Sequence, residues 1–324
     1  RFIYLESGAL YDVAGKLPYG AVEFLRELFP EAPLQGLETS INRSVDLRNS
    51  RMADHVPLFK VSGATEASYL RQLVLEKYGN GQWKQEQSVT YDVLGPYPLR
   101  LTPYSGPRRA RGSMSVKVIP ISQMPAGEIV TAYNTSFINF PNTVVYSTER
   151  QTAFSSNSYA LAYSLRGQNT SFALETLDKA TLPQEPSWNN DSSTVPAQVA
   201  KLAQELTQDY PSPYQKMKVL ELYLRKNLVY DSRPEPAPEG LDPLEWLLFE
   251  SRRGTALHFN STLALMGRAV GVPTRLVTGW VAPGTKREQI IFADMAHAWT
   301  EAHFAELGWV QFDASPGGAP QRLG

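Results

Sequence analysis

The chain has 324 residues, 42% of them hydrophobic, 19% charged and 11% aromatic, enough to bury sizeable cores and, by the usual size of domains, suited to two of them rather than one. Lys+Arg 31 against Asp+Glu 32 gives a formal charge of -1, so no global field favours nucleic acid or an anionic membrane. With no cysteine, the chain as it stands excludes disulfides, thiolate metal sites and a cysteine nucleophile, and leaves the redox compartment open.

In chain order, "YGAVEFLRELFPEAP" predicts an amphipathic helix on Val22, Leu25, Leu28 and Phe29 that Pro30 ends. Residues 69–78 fit a helix or a strand, and Gly79-Asn80-Gly81 predicts a tight turn. The basic cluster Arg108, Arg109 and Arg111 reads as a solvated loop. From about 88 to 180 the texture is β: "SMSVKVIPI" alternates Met114, Val116 and Val118 with Ser113, Ser115 and Lys117, and "EIVTAY", "TVVYST" and "SYALAYSL" follow as strands. Residues 1–185 therefore read as a β-rich domain with an N-terminal helix. The Pro-, Ser- and Asn-rich stretch at 186–195 reads as a linker to a second domain at 196–324.

The second part turns helical. "PAQVAKLAQELTQD" and "SPYQKMKVLELYLRKNLVY" repeat apolar residues every three or four positions, and "LDPLEWLLFES" starts with an Asp242 cap before Pro243. A helix from Ala256 to Val270 is apolar nearly all round and must be buried; Gly271 and Pro273 stop it. "TRLVTGWVA", "HAWTEAHF" and "GWVQFDA" then alternate as strands, the last two forming an antiparallel hairpin, so the fold class is α+β with a buried helix on an antiparallel sheet.

Alternation puts His297, Trp299, Glu301 and His303 on one strand face, and Asp313 shares a face with Trp309 and Gln311. A neighbouring carboxylate orients a histidine and supports its charged form. The N-terminus of the buried helix, pointed at such a pair, would lower the pKa of a thiol in its first turn and stabilise an oxyanion. Position 256 is that place, and it holds alanine. Thr255 and Ser261 are the nearby hydroxyls, too high in pKa to replace a thiol without a far better aligned base. His258 and His303 read as structural, and the histidine spacing fits no zinc pattern. Arg275 reads as a structural ion-pair partner rather than a substrate ligand.

Four blocks in order carry a resemblance: Gly254-Thr255-Ala256-Leu257-His258-Phe259, Arg268-Ala269-Val270-Gly271-Val272-Pro273-Thr274-Arg275, His297-Ala298-Trp299-Thr300-Glu301 and Gly308-Trp309-Val310-Gln311-Phe312-Asp313. Together they resemble the bacterial transglutaminase-like superfamily, whose core has a papain-related fold. Its pattern runs Gly-x-Cys-x-x-Phe, Arg-Ala-x-Gly-Ile-Pro-x-Arg, His-Ala-Trp-x-Glu and Gly-Trp-x-x-Phe-Asp. The resemblance implies a cysteine acyl transferase or peptidase working on glutamine side-chain amides or peptide bonds through a thioester. It assigns the nucleophile position to Ala256, the general base and acid to His297 and the orienting carboxylate to Asp313. Trp246, Trp299 and Leu257 become the candidates for cleft wall and oxyanion side.

The resemblance implies no metal or organic cofactor. It implies a protein or peptide substrate, cell-wall peptide among them, no nucleic acid, and a place outside the cytoplasm as the soluble part of a bacterial membrane protein whose membrane helices lie outside these residues. Ala256 departs from the pattern at the nucleophile and leaves the chain inactive as written. Because His297, Asp313 and Trp299 all persist beside it, the alanine reads as a replacement introduced for cysteine. The alternative is a natural pseudoenzyme that binds peptide or glycan, or serves as a scaffold, at the cell surface.

Overall fold

The computed structural model describes residues 44–316 except 49, 65–67, 87–90, 95–98, 102–108, 122–127, 143, 156–160, 185–190 and 285–286, with three short strand pieces at Ile3–Tyr4, Leu10–Tyr11 and Lys16–Leu17. The helix expected on Val22 to Phe29 and part of the expected linker lie outside the described residues.

The centre is a five-stranded sheet made of β1 (Ser68–Leu75), β2 (Thr131–Ala132), β3 (Thr274–Ala282), β4 (Ala296–Phe304) and β5 (Gly308–Phe312). Its order is β2-β1-β3-β4-β5, and every pair is antiparallel. Two of its strands therefore come from the first half of the chain. The stretch that fits a helix or a strand equally well on paper becomes β1, since its Leu70, Val74 and Leu75 are buried between neighbours on both sides. After it, Asn80 and Gly81 take positive φ values of 52° and 78° in a tight turn, a conformation that joins two strands with matching twist.

The helices α1 (Ala197–Thr207), α2 (Pro213–Asn227) and α3 (Ala256–Ala269) pack together beside the sheet. The sheet face toward α3 carries Ala298, Thr300 and Ala302, and their small size lets the helix lie close: Thr300 Oγ1 donates to the Asn260 carbonyl at 2.7 Å. Buried Phe259, Leu263 and Leu265 join Met217, Leu220 and Leu224 of α2 in one core that also contains Leu47, Leu75 and Trp83. At the far end of α3, Gly271 has φ 82° and Val272 N–H donates to the Gly267 carbonyl at 2.9 Å, closing the helix where Pro273 forbids its extension.

The β-rich texture upstream builds a six-stranded sheet whose longest strand is Arg109–Pro120. Arg109 and Arg111, expected in a solvated loop, open this strand instead, while Arg108 lies outside the described residues. A late strand, Glu288–Phe292, joins the same sheet against Pro57–Ser62. The stretch begun by Asp242 also differs from a plain helix. Asp242 Oδ1 caps Leu244 N–H at 2.8 Å, but after one turn the chain widens into a π-helix, Trp246–Ser251, and leaves it through Arg252 in a left-handed conformation with φ 57°.

Candidate active site

The register of the central sheet decides how the strand residues meet. Gly279 pairs with His297, Arg275 with Glu301 and Thr300 with Phe312, so Asp313 leaves β5 beside the start of β4. There His297 Nε2 lies 2.8 Å from Asp313 Oδ2, with the histidine side chain 13% exposed and the carboxylate 1%. The pairing expected from alternation is thus present, and it uses Nε2, leaving Nδ1 as the ring nitrogen not turned to Asp313.

Asp313 is held from several directions. Its Oδ1 accepts from Ser315 N–H at 3.0 Å and lies 3.1 Å from Asn260 Nδ2. Its backbone N–H donates to Glu221 Oε1 at 2.9 Å, and Arg225 donates to its carbonyl, both from α2. Tyr69 donates its hydroxyl to Oδ2 at 2.9 Å. Burial alone would raise the carboxyl, but the hydrogen bond and charge of His297, with the Ser315 contacts, outweigh it and hold Asp313 well below the usual carboxylate range.

Asn260 is the joint between helix and strands. It is fully buried on α3, its Nδ2 lies 2.8 Å from the Ala298 carbonyl, and its Oδ1 accepts from Ala314 N–H at 2.9 Å. A single amide side chain therefore ties α3 to β4, which carries His297, and to the segment after β5 that carries Asp313. In the sequence it belongs to a polar run, Asn260, Ser261 and Thr262, inside a helix expected to be buried; Tyr69 carries no such local signal.

Ala256 is the first residue of α3 and is 5% exposed. Thr255 before it caps the helix: its N–H donates to His258 Nδ1 at 3.3 Å and its carbonyl accepts from Phe259 N–H. Gly254 leaves room for this turn, because a Cβ there would lie 2.9 Å from His258 Cβ. His258 is buried and its imidazole is lowered by desolvation to about 4, against a raising contribution from the Leu47 backbone, so it stays neutral in its structural position. The hydroxyls near Ala256 are engaged elsewhere: Thr255 Oγ1 is 2.9 Å from Ser50 Oγ, and fully buried Ser261 accepts from Trp83 Nε1 at 2.9 Å.

Ala256, Leu257 and His297 line one cleft, with a cavity volume of about 490 Å³. Residues from early in the chain line it too, among them Asp46, Arg51, Met52 and Gln72. Trp299 and Trp246 are not among the lining residues. Trp299 is 1% exposed and packs behind the site, edge-on to Tyr69 at 5.0 Å. Trp246 opens the π-helix and keeps its indole N–H buried. Glu301 and Arg275 lie deeper in the sheet, where Arg275 Nε donates to Glu301 Oε2 at 2.8 Å and Arg71 donates to Oε1. Burial would raise Glu301, but the two guanidinium groups hold it low. Among the described residues, no cluster of three His, Asp or Glu side chains could hold a metal.

A helix N-terminus and a carboxylate-bound histidine thus converge on one cleft, and residues 200–314 match the model of the transglutaminase-like superfamily. This stretch is a transglutaminase-like domain. A segment of the chain is 32% identical over 133 residues to YebA of Bacillus subtilis strain 168, covering 38% of this chain and 18% of YebA. The chain is also 30% identical over 126 residues to a protein-glutamine gamma-glutamyltransferase of Pseudomonas aeruginosa, covering 38% of this chain and 19% of that protein. The matches thus span about a fifth of the length of these curated relatives. In fold, the chain is similar to the periplasmic domain of TgpA from Pseudomonas aeruginosa, with a TM-score of 0.59 at 18% identity over 84% of this chain and 92% of that one. The likeness extends beyond the transglutaminase-like domain and takes in the β-rich region before it.

Proposed function

We propose that the cleft is the acyl-transfer site of a transglutaminase-like enzyme that needs cysteine at position 256. The observation that carries this reading is the His297 Nε2 to Asp313 Oδ2 contact of 2.8 Å beside a cleft that Ala256 also lines. With a thiol there, His297 Nδ1 is the nitrogen available to take its proton, while Asp313 fixes the ring and supports the imidazolium. The thiolate attacks the carbonyl carbon of a glutamine side-chain amide or a peptide bond. His297 returns the proton to the departing ammonia or amine, and the acyl group stays on sulfur as a thioester. A lysine amine or water then attacks, giving up a proton to His297 as the thiolate leaves. Backbone N–H groups in the first turn of α3, beginning at Ala256 and Leu257, are the donors for the oxyanion.

The name of the Pseudomonas relative supports transfer from glutamine, and proteins or peptides, cell-wall peptide included, are the substrate class this chemistry suits. The likeness to a periplasmic domain supports a place on the outer side of a bacterial membrane, with any membrane anchor carried by other parts of a longer protein. Among the described residues no helix is long and apolar enough to cross a membrane. As written, Ala256 leaves the site without a nucleophile and the chain without turnover. That alanine is also the observation favouring the second reading, a cleft that binds peptide or glycan without turning it over, or a scaffold.

The deciding experiment is Ala256→Cys assayed for incorporation of a fluorescent primary amine into a glutamine-bearing protein, alongside a peptidase assay. Activity that iodoacetamide abolishes is expected. A folded variant inert in both assays would favour the binding module.

A further inference from the structure

Tyr69 lies on β1, outside residues 200–314, and faces Val281 of β3 across the ladder. Its hydroxyl donates to Asp313 Oδ2 at 2.9 Å, and His297 Nε2 reaches that same oxygen at 2.8 Å. The ring is fixed edge-on to Trp299 at 5.0 Å and lies 5.9 Å from the His297 ring. One carboxylate oxygen therefore serves two donors from different parts of the chain.

The geometry points to Tyr69 as a positioning residue of the acyl-transfer site: by sharing Asp313 Oδ2 with His297, it sets how strongly the carboxylate holds the imidazolium. This rests on the roles proposed above for His297 and Asp313. A donor on the carboxylate draws off part of its charge and leaves less to stabilise the neighbouring cation. An imidazolium held less tightly gives its proton to a departing amine more readily. Burial first, then the charge and hydrogen bond of Asp313, raise the Tyr69 phenol well above its ordinary value, so the hydroxyl remains a donor across the working pH range. Among the described residues, the other charged or titratable groups around the pair are Glu221 and Arg225 from α2, which hold the Asp313 backbone, and Asp46, Arg51, Tyr230 and Asp294 along the cleft.

The test is the pH titration of the His297 imidazole by NMR in the chain as it stands, compared with Tyr69→Phe, which keeps the ring against Trp299. Losing a donor worth one ordinary hydrogen bond should raise the His297 midpoint by about half a unit to one unit. A fluorinated tyrosine at this position, a stronger donor of nearly the same size, should move it the other way. In an Asp313→Asn background, Tyr69→Phe should have no effect on His297. An unmoved midpoint in folded Tyr69→Phe, or a shift that persists without the carboxylate, would overturn the inference. The titration does not depend on turnover. If Ala256→Cys is inert while the His297 shift is present, the proposed function falls, and what stands is the coupling of Tyr69 to His297 through Asp313.

Discussion

Asn260 and His258 lie two residues apart on α3 and answer different needs, one joining the site and the other bracing the helix start. Asn260 satisfies groups on two strands from a fully buried position. Asn260→Ala leaves the Ala314 N–H and the Ala298 carbonyl short of partners and should cost about 2–4 kcal/mol, read by urea denaturation. His258 is lowered from 6.5 to about 4 by burial, so the unfolded chain takes up a proton that the folded chain refuses. Above its ordinary pKa this residue leaves stability unchanged; as pH falls from 6.5 to about 4, stability should drop, by at most about 3 kcal/mol. His258→Gln should flatten that part of the stability profile. Asp313 has the carboxylate form of the same linkage: its folded pKa is depressed, so its contribution is full above the ordinary carboxylate range and is lost as pH falls through the folded value. Acid should therefore loosen the site in two stages, His258 first. In the Ala256→Cys protein, Asp313→Asn should lower kcat/KM by about 10²–10⁴-fold with the fold retained, by analogy with loss of the orienting carboxylate in a Ser-His-Asp triad.

At the scale of elements, the start of α3 and the β1–β3 pairing decide whether these residues meet. Gly279 pairs with His297 on one side, and on the other a Cβ would fall 1.9 Å from the Leu70 carbonyl oxygen. Gly279→Ala must push β1 and β3 apart where the ladder already shifts register between Thr278 and Gly279. A loss of several kcal/mol is expected in chemical denaturation, on the scale of other backbone clashes in a packed interior, together with exposure of Tyr69 to solvent. The buried helix, its stop at Gly271 and Pro273, and the hairpin ending at Asp313 were legible from periodicity because each is a local pattern. The π-helix at Trp246–Ser251 was not, since an α-helix and a π-helix place apolar residues on nearly the same face over a single turn.

At the scale of the molecule, the transglutaminase-like domain shares its central sheet with the chain before it. β1 lies inside that sheet, between β2 and β3, and its Arg71 meets Glu301 of β4 with 1% and 0% of the two side chains exposed. Removing β1 would bare one edge of β3 and leave a buried carboxylate with one of its two cations. Residues 196–324 expressed alone should therefore lack fixed tertiary structure, read as collapsed near-UV circular dichroism and poor NMR dispersion beside the intact chain. Arg71→Met in the intact chain should cost about 3–5 kcal/mol, the usual penalty for breaking a buried pair on one side.

The sequence by itself determined the α+β class, the buried helix that begins at Ala256, and the strands that carry His297 and Asp313, because hydrophobic period and helix caps act over a few neighbouring residues. The four blocks sufficed to reach the transglutaminase-like superfamily and to notice that the nucleophile position holds alanine. Only the tertiary structure decided that Tyr69 and Asn260 also hold Asp313, that Trp299 supports the site from behind rather than lining the cleft, and that residues 44–46 and 50–53 help wall it. Those contacts join segments far apart in the chain. Strand register and the order of strands in a sheet, which no local pattern encodes, bring them together.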